Sequence, residues 1–131
     1  MSRSDMTVTH PIEGQVVLLA GAKASVTLEH LSRLLERAQR QLVLRQPRYD
    51  RDYERVMTDD DAGYYLVEPG HWDGVGEELG LQRREWASLR RAHAEQLRRA
   101  GRRQGRNDEF ETALEIRDVV VLTVEADLAD G

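Results

Sequence analysis

A helical pattern of apolar residues dominates the first half of the chain. Thr27 is a residue type that caps helices, and the leucines and alanine after it recur every three or four positions, with arginine and glutamate opposite. Pro47 ends or kinks such a helix, because proline has no N–H to donate. The spacing predicts an amphipathic helix whose apolar stripe consists of Leu28, Leu31, Leu34, Leu35, Ala38 and Leu42.

The segments on either side of this helix carry shorter apolar patterns. Over residues 13–24 the spacing is helical, yet the run QVVLLA is equally typical of a strand, and periodicity does not separate the two for so short a run. After Pro47, the stretch RYDRDYERVM predicts a further helical turn or two. The residues that define these patterns are Ile12, Val16, Leu19 and Ala20 in the first segment, and Tyr49, Tyr53 and Val56 in the second.

Two aromatic or β-branched runs predict a small β element. GYYLVEPG reads as a short strand bounded by glycine and proline, and VVVLTV, near the end of the chain, reads as a second strand that pairs with it. Between the two runs, Asp108 and Glu111 form a capping box that opens a helix over Glu109–Arg117. We therefore predict a mainly α-helical α+β fold with a two-stranded β element.

A helix corner is predicted in VGEELGLQRREW, residues 75–86. Gly76 provides the small residue that two closely crossing helices need, and Gly80 tolerates the left-handed backbone conformation that ends the first helix. A register that begins at Trp72 places apolar residues at the other contact positions between the helices. These residues are Val75, Leu79, Leu81, Trp86 and Leu89.

This register, over residues 72–91, resembles the helix-turn-helix of DNA-binding proteins. By that resemblance the second helix enters the major groove. Its groove-facing positions include several arginines, which contact guanine bidentately or bind a phosphate. The groove-facing residues would be Gln82, Arg83, Arg84, Ala87, Ser88 and Arg91.

Other features favour an ordinary corner between two packed helices. Gly74 and Gly76 weaken the first helix by about 1 kcal/mol each relative to alanine, and Gln82 is a poor cap for the second helix. The apolar seam of the second helix continues to Gly101, which makes the helix longer than most recognition helices. A strand-like segment and Pro69, rather than a helix, precede the corner.

Positive charge is concentrated beside the corner. Residues 82–106 carry nine arginines against Glu85 and Glu95, a net charge of +7, whereas residues 107–131 carry a net −7 and the whole chain −5. A basic block between acidic flanks is typical of an element that faces a polyanion. The alternative is a solvated helix face, or one that pairs with the acidic tail.

Composition excludes several classes of protein. The chain has no cysteine, so disulfides, thiol nucleophiles and zinc–thiolate sites are excluded. No run of about 18 apolar residues spans a bilayer, and the N-terminal sequence lacks the apolar middle of a signal peptide. We predict a cytoplasmic protein that does not contact membranes. It would form one domain over residues 1–131, with disordered tails at 1–11 and 125–131.

A metal- or histidine-dependent enzyme is a further alternative. It would require His71, Asp73 and His93 to gather in one site. However, Asp73 is explained as an acid facing the dipole of a helix start, and His93 lies on a packing seam. Because the sequence shows no convergent constellation of catalytic residues, we predict no catalytic residue, no metal and no cofactor.

Three stretches give the chain a resemblance over its whole length: LVEPGHWDGVGEELG, RRAHAEQLRRAGRRQGR and NDEFETALEIRDVVV. They resemble a small family of uncharacterised proteins from halophilic archaea, from about residue 12 to 124. The resemblance implies a cytosolic setting and no known activity, cofactor or functional residue. A net charge of −5 is mild for such organisms. Molar salt in that setting would suppress the counterion-release part of DNA affinity, so binding would depend on direct contacts.

Together these patterns predict a non-catalytic protein that binds DNA through the corner. The first alternative is a protein-interaction or homo-oligomerising module, in which the Leu28–Leu42 stripe or the long basic helix meets another chain, for example in a homodimer. The second alternative is the enzyme. The predicted DNA-binding residues are Gln82, Arg83, Arg84, Ser88 and Arg91.

Overall fold

The computed structural model describes residues 10–124, which are mainly helical with a small antiparallel sheet. The predicted α+β class is confirmed. Residues 13–24, whose sequence was equally typical of a helix and of a strand, form a helix over Gly14–Ala24. A 3-10 turn, Val43–Arg45, links two of the helices. The elements are α1 (Gly14–Ala24), α2 (Leu28–Leu42), α3 (Gln46–Asp52), β1 (Glu54–Asp59), β2 (Ala62–Val67), α4 (His71–Leu79), α5 (Arg83–Arg103), α6 (Asn107–Leu114) and β3 (Asp118–Thr123).

Two predictions, the disordered tails and the absence of a membrane-spanning segment, can be compared with the described residues. The predicted tails, 1–11 and 125–131, lie outside the described residues except for His10 and Pro11, which are half-buried. The Ile12 N–H donates to His10 Nδ1 at 3.2 Å. Among the described helices, none combines the length and the apolar character that crossing a membrane requires.

The sheet has three strands in the order β1-β2-β3, not the two that the sequence predicts. The predicted pairing of β2 with β3 is present, with Tyr65 opposite Val120. The extra strand lies where a helix was expected to continue: α3 ends at Asp52, Tyr53 adopts an extended conformation, and β1 turns back onto β2. The hairpin turn places Asp60 at a φ of 54°, a left-handed conformation that aspartate tolerates. Backbone pairing with β2 thus overrides the local helical pattern.

The core is built around α5, which packs against α1, α4, α6 and β3. The apolar stripe of α2 is buried in the same core apart from Leu28, so it is used inside the molecule rather than offered to another chain. On α1 the buried face carries Val16, Val17 and Ala20. Leu19, expected on that face, is instead exposed.

The outer edge of β3 is closed by side chains from three helices. An unpaired strand edge inside a protein leaves backbone N–H and C=O groups without partners, which is costly. Here α2, α4 and α5 each contribute one buried polar side chain that bonds to this edge. The bonds run from Trp72 Nε1 to the Val119 carbonyl (3.0 Å), from the Val121 N–H to His93 Nδ1 (2.9 Å), from Gln39 Nε2 to the Val121 carbonyl (3.1 Å), and from the Thr123 N–H to Gln39 Oε1 (2.7 Å).

The predicted corner between α4 and α5 is present. Gly80 ends α4 at a φ of 71°, and the Leu81 N–H donates to the Gly76 carbonyl at 2.8 Å, which satisfies the last turn of the helix. The Trp86 side chain packs directly over Gly76, and a Cβ added there would lie 2.4 Å from Trp86 Cδ1. The two helices therefore meet at a close contact that requires glycine.

Gly76→Ala is expected to lower the free energy of unfolding by about 1–3 kcal/mol, because the new methyl group would overlap Trp86. Gly74→Ala, on the same helix, is the matched control, since a Cβ there meets no atom within 4 Å. Replacing an exposed helical glycine by alanine is expected to raise stability by about 0.5–1 kcal/mol. Urea unfolding measures both variants. Equal effects of the two changes would contradict the close contact.

Candidate nucleic-acid interface

The first half of α5 presents an exposed polar face. Gln82, Arg83, Arg84 and Arg91 are all exposed, and Gln82 is the residue that precedes the helix. At about 100° per residue, positions 83, 84 and 91 lie within an arc of about 100° around the helix. We call these four residues the basic corner. They are four of the five DNA-binding residues that the sequence predicts.

Ser88, the fifth predicted residue, does not belong to this face. It is fully buried, and its hydroxyl donates to the Glu85 carbonyl at 2.7 Å. Such a bond to an earlier carbonyl satisfies the hydroxyl within the helix itself. Ala87, also considered groove-facing, is half-buried. The exposed face is therefore narrower than the sequence register predicts.

Most of the remaining arginines of the basic block pair with carboxylates of the same molecule. Five of the nine arginines in the block do so, and their partners lie in β1, α5, α6 and β3 and at the residue that precedes α1. The Arg103 hydrogen bond lowers the pKa of Glu13 to about 2, helped by Gln96 and Arg99. The block is thus not one open basic face. The pairs are Arg90 with Asp118, Arg98 with Glu95 and Glu111, Arg99 with Glu13, Arg103 with Glu13 and Asp59, and Arg106 with Glu109.

The basic corner is different in this respect. Within residues 10–124, no carboxylate oxygen lies within 4.0 Å of a side-chain nitrogen of Arg83, Arg84 or Arg91. The arginines of α5 that lack a carboxylate partner in this range are therefore concentrated at the corner rather than spread along the whole helix. Arg102 is exposed and similarly unpaired within that range, but lies at the other end of α5.

Glu85 stabilises the start of α5 as part of a capping box with Gln82. Its carboxylate accepts the Gln82 N–H at 2.8 Å, and this bond is the main cause that lowers the pKa of Glu85. The same carboxylate contacts His30 Nε2 of α2 at 2.8 Å. The Glu85 half of a capping box therefore stabilises the helix start and ties it to α2.

Sequence reasoning missed that α2 lies beside the corner. Arg37 Nη2 donates to the Leu79 carbonyl at 2.5 Å, so α2 holds the last turn of α4 directly. A groove of about 350 Å³ lies here, lined by Arg33, Arg37 and Arg40 of α2 and by Glu85 of α5. We call the three arginines the α2 arginine row. Their spacing opposite the leucine stripe was visible in the sequence, but their proximity to α5 depends on the tertiary fold.

The three residues of the enzyme alternative do not meet. His93 is fully buried and accepts the Val121 N–H, so the remaining ring proton is carried on Nε2. Burial lowers its pKa to about 3, which keeps the ring neutral. Asp73 is exposed in the first turn of α4. His71 forms its hydrogen bonds with Tyr49 and Glu68. Within residues 10–124, no three metal-ligating side chains gather.

His71 takes part in an unpredicted chain of hydrogen bonds in a cleft of about 380 Å³ between α3 and α4. Tyr49 Oη lies 2.5 Å from His71 Nε2, and His71 Nδ1 lies 3.1 Å from a Glu68 oxygen. The Tyr53 hydroxyl donates to the other Glu68 oxygen at 2.8 Å. Burial raises the pKa of Tyr49, so its hydroxyl stays protonated. These four side chains satisfy one another and join α3 to the start of α4.

His93→Asn is expected to remove part of the acid sensitivity of the fold. Because the pKa of His93 is about 3 when folded and about 6.5 when unfolded, only the unfolded chain binds a proton between these values. The contribution of the neutral His93 to the free energy of unfolding is therefore fully present above about pH 6.5 and is lost as the pH drops towards 3. Between pH 7 and 5 the loss is about 2 kcal/mol. Asparagine offers an oxygen to the Val121 N–H but does not titrate.

Urea unfolding of both proteins at pH 7 and pH 5 measures this difference. The asparagine variant is less stable at pH 7, because it loses the ring that contacts Trp72. Its change in stability between the two pH values should nevertheless be smaller than that of the wild type. An identical change in both proteins would contradict the buried, neutral histidine.

Comparisons with known proteins give one match. The model of a protein family described as a domain of unknown function (DUF8048) matches residues 10–124. No curated protein and no solved structure matches the chain. The match covers the same part of the chain as the resemblance to an uncharacterised family noted in the sequence.

Proposed function

Since the chain belongs to this family, DUF8048, whose function is unknown, we propose a function from its own surface: it binds duplex DNA, without catalysis, through the basic corner. The observation that carries the proposal is that Arg83, Arg84 and Arg91 are exposed and, within residues 10–124, have no carboxylate oxygen within 4.0 Å of their side-chain nitrogens. Five other arginines of the same block are neutralised within the molecule. Unpaired guanidinium groups on one helix face suit the phosphates and guanine edges of DNA.

The order of residues at the corner suggests a role for each. In helix-turn-helix proteins the N-terminal residues of the second helix contact base edges. Gln82, Arg83 and Arg84 occupy that end of α5. A glutamine side chain bonds adenine, and we assign Arg83 and Arg84 to phosphates beside the groove, with guanine edges as additional partners. Arg91, two turns further along, would contact the phosphate backbone. We assign no contact to Ser88, because it is buried.

A groove-binding helix must be held rigidly, and three contacts support this at the corner. Trp86 packs over Gly76, so α4 and α5 cross closely. Glu85 bonds both the Gln82 N–H and His30, and Arg37 bonds the end of α4. The α2 helix thus supplies the supporting helix that the sequence around the corner lacks. A preorganised surface loses less conformational freedom when it binds.

Duplex rather than single-stranded nucleic acid is the favoured partner. Proteins that bind single strands stack bases on exposed aromatic rings. In the described part of the chain no aromatic side chain is exposed. Trp86, in the first turn of α5, is half-buried with its ring against Gly76. The corner therefore offers charge and hydrogen-bond donors but no stacking platform.

The setting of this activity is also part of the proposal. We infer a cytoplasmic protein of a halophilic archaeon, in line with the resemblance in the sequence. Molar salt would weaken the counterion-release part of the affinity, so direct contacts of the arginine and glutamine side chains would matter more there. Self-association of the chain as a homodimer stays a prediction.

Binding is tested by fluorescence anisotropy with a labelled DNA duplex and the full chain. At about 0.1 M salt we expect a Kd of about 1–100 µM for duplexes of unrelated sequence. Arg91→Ala is expected to weaken binding about eightfold at that salt concentration, since one phosphate contact contributes a factor of about [salt]^−0.9.

Arg51→Ala is the matched control for this change. Arg51 is exposed on α3 and lies 3.4 Å from Asp52, so it is already paired. The control should bind DNA as the wild type does. Absence of binding by the wild-type chain at about 50 mM salt, where phosphate contacts are stronger, would overturn the proposed function.

A further inference from the structure

We propose that Arg33 and Arg40 of the α2 arginine row form a second DNA contact, which binds the phosphate backbone beside the groove that α5 enters. This inference rests on the proposed function and extends it from one helix to two. It is carried by three observations: the position of α2 against the corner, the spacing of the two arginines, and the lack of carboxylate partners for them within residues 10–124.

The position of α2 places the row beside the start of α5. One bond joins α2 to the start of α5, from His30 Nε2 to Glu85 at 2.8 Å, and another joins α2 to the end of α4, from Arg37 Nη2 to the Leu79 carbonyl at 2.5 Å. Arg33 and Arg40 line the same groove as Glu85, which lies in the first turn of α5. A duplex that lies against the basic corner would therefore have this face of α2 at its flank.

The spacing of the two arginines matches one strand of a duplex. Arg33 and Arg40 are seven residues apart on a continuous helix, which separates them by about 10 Å along its axis. One DNA strand carries a phosphate about every 3.4 Å of duplex axis. With α2 parallel to the duplex axis, the two side chains would therefore lie about three nucleotide steps apart along that axis. Both project from the solvent face opposite the leucine stripe.

Arg33 and Arg40 are not paired with a carboxylate of the described residues. Within residues 10–124, no carboxylate oxygen lies within 4.0 Å of a side-chain nitrogen of Arg33 or Arg40. Two acids line the groove, Glu36 and Glu85, and Glu85 is already bonded to Gln82 and His30. Three arginines line the same groove, so the net charge of its lining is positive.

Arg37, between the two, has a different role. Its guanidinium bonds the carbonyl of the last residue of α4, where the helix dipole favours a positive charge. It holds the corner against α2 and is a positioning residue. We therefore leave Arg37 unchanged in the test, because its removal would disturb both contacts.

The test is the salt dependence of DNA affinity for the double variant Arg33→Ala with Arg40→Ala. Loss of two phosphate contacts should reduce the slope of log affinity against log salt by about 1.8, equally for duplexes of different sequence. Thermal unfolding checks that the variant is folded. The lysine pair, Arg33→Lys with Arg40→Lys, keeps both charges and should retain the wild-type slope.

Arg48→Ala with Arg51→Ala is the matched control, since it removes two exposed α3 arginines that pair with Asp52. A wild-type slope in the Arg33 and Arg40 alanine variant, with DNA binding intact, would overturn this inference and leave the proposed function standing. A loss as large in the α3 control would overturn it too, because the effect would then be one of net charge. Failure of the wild-type chain to bind duplex DNA would overturn both proposals.

Discussion

Replacing Trp72 by alanine is expected to lower the free energy of unfolding by about 4–6 kcal/mol. The Trp72 side chain is fully buried, contacts the His93 ring with centroids 4.5 Å apart, and donates its indole N–H to the Val119 carbonyl at 3.0 Å. Removing a buried tryptophan costs about 3–5 kcal/mol through lost burial and the cavity left behind. The lost hydrogen bond adds about 1 kcal/mol.

Urea unfolding followed by circular dichroism measures this loss. Trp72→Phe is the control, because it keeps most of the ring and removes the N–H, and it should cost about 1–3 kcal/mol. Domains of this size are stable by about 5–15 kcal/mol, so the alanine variant is expected to lie near its unfolding limit. A loss below about 2 kcal/mol in the alanine variant would contradict the role of Trp72 as the joint between α4 and β3.

The corner could be predicted from sequence because its determinants are local. Gly80 is required by a positive φ, and Gly76 by the Trp86 ring ten residues later. Such short-range requirements leave a signature in residue type and spacing. The position of Trp72 as a buried contact follows from the same register and is also found in the structure.

The β1 strand could not be predicted from sequence, because long-range pairing decides it. The stretch after Pro47 carries a helical pattern, yet residues 54–59 form backbone bonds along β2. The chain turns back between β1 and β2 at Asp60, which adopts a φ of 54°. The spacing of apolar residues carries no information about strand pairing. The local pattern therefore favours a helix here, whereas the tertiary contacts with β2 favour a strand.

Neutralisation of the basic block by the acidic residues that follow it was an alternative in the sequence, and Glu109, Glu111 and Asp118 are among its partners, but its pairing with Glu13 left no sign in the sequence. Glu13 pairs with Arg99 and Arg103, which lie more than 80 residues later in the chain. The block therefore looked uniform in sequence, although in the described part of the chain five of its nine arginines are paired with carboxylates and four are not. His93 gave a partial signal: its place on the packing seam was predicted, but its bond to β3 depends on strand placement.

The double variant Arg83→Ala with Arg84→Ala is expected to show the largest functional effect. Both side chains lie at the exposed start of α5 and have no carboxylate within 4.0 Å among the described residues. Two lost phosphate contacts would reduce the affinity for duplex DNA about sixtyfold at 0.1 M salt. Any contacts to base edges would add to this loss and relax sequence preference. Anisotropy titration of a labelled duplex measures the change.

The arginine pair on α3, Arg48→Ala with Arg51→Ala, again serves as the control for net charge. It removes the same two positive charges from side chains that lie near Asp52. This control should weaken binding by less than about threefold, because distant surface charges are screened at 0.1 M salt. Thermal unfolding of both variants should match the wild type, since all four side chains are exposed.

The central claim, that open guanidinium groups at the start of α5 bind the DNA backbone, is tested most directly by affinity across a salt series. Wild type and the Arg83 and Arg84 double variant would be titrated with one duplex between about 50 and 200 mM salt, the range over which phosphate contacts strongly alter affinity. We predict a wild-type plot of log affinity against log salt that is steeper than the variant's by about 1.8. Two parallel lines would show that these arginines release no counterions from DNA, and would contradict the account.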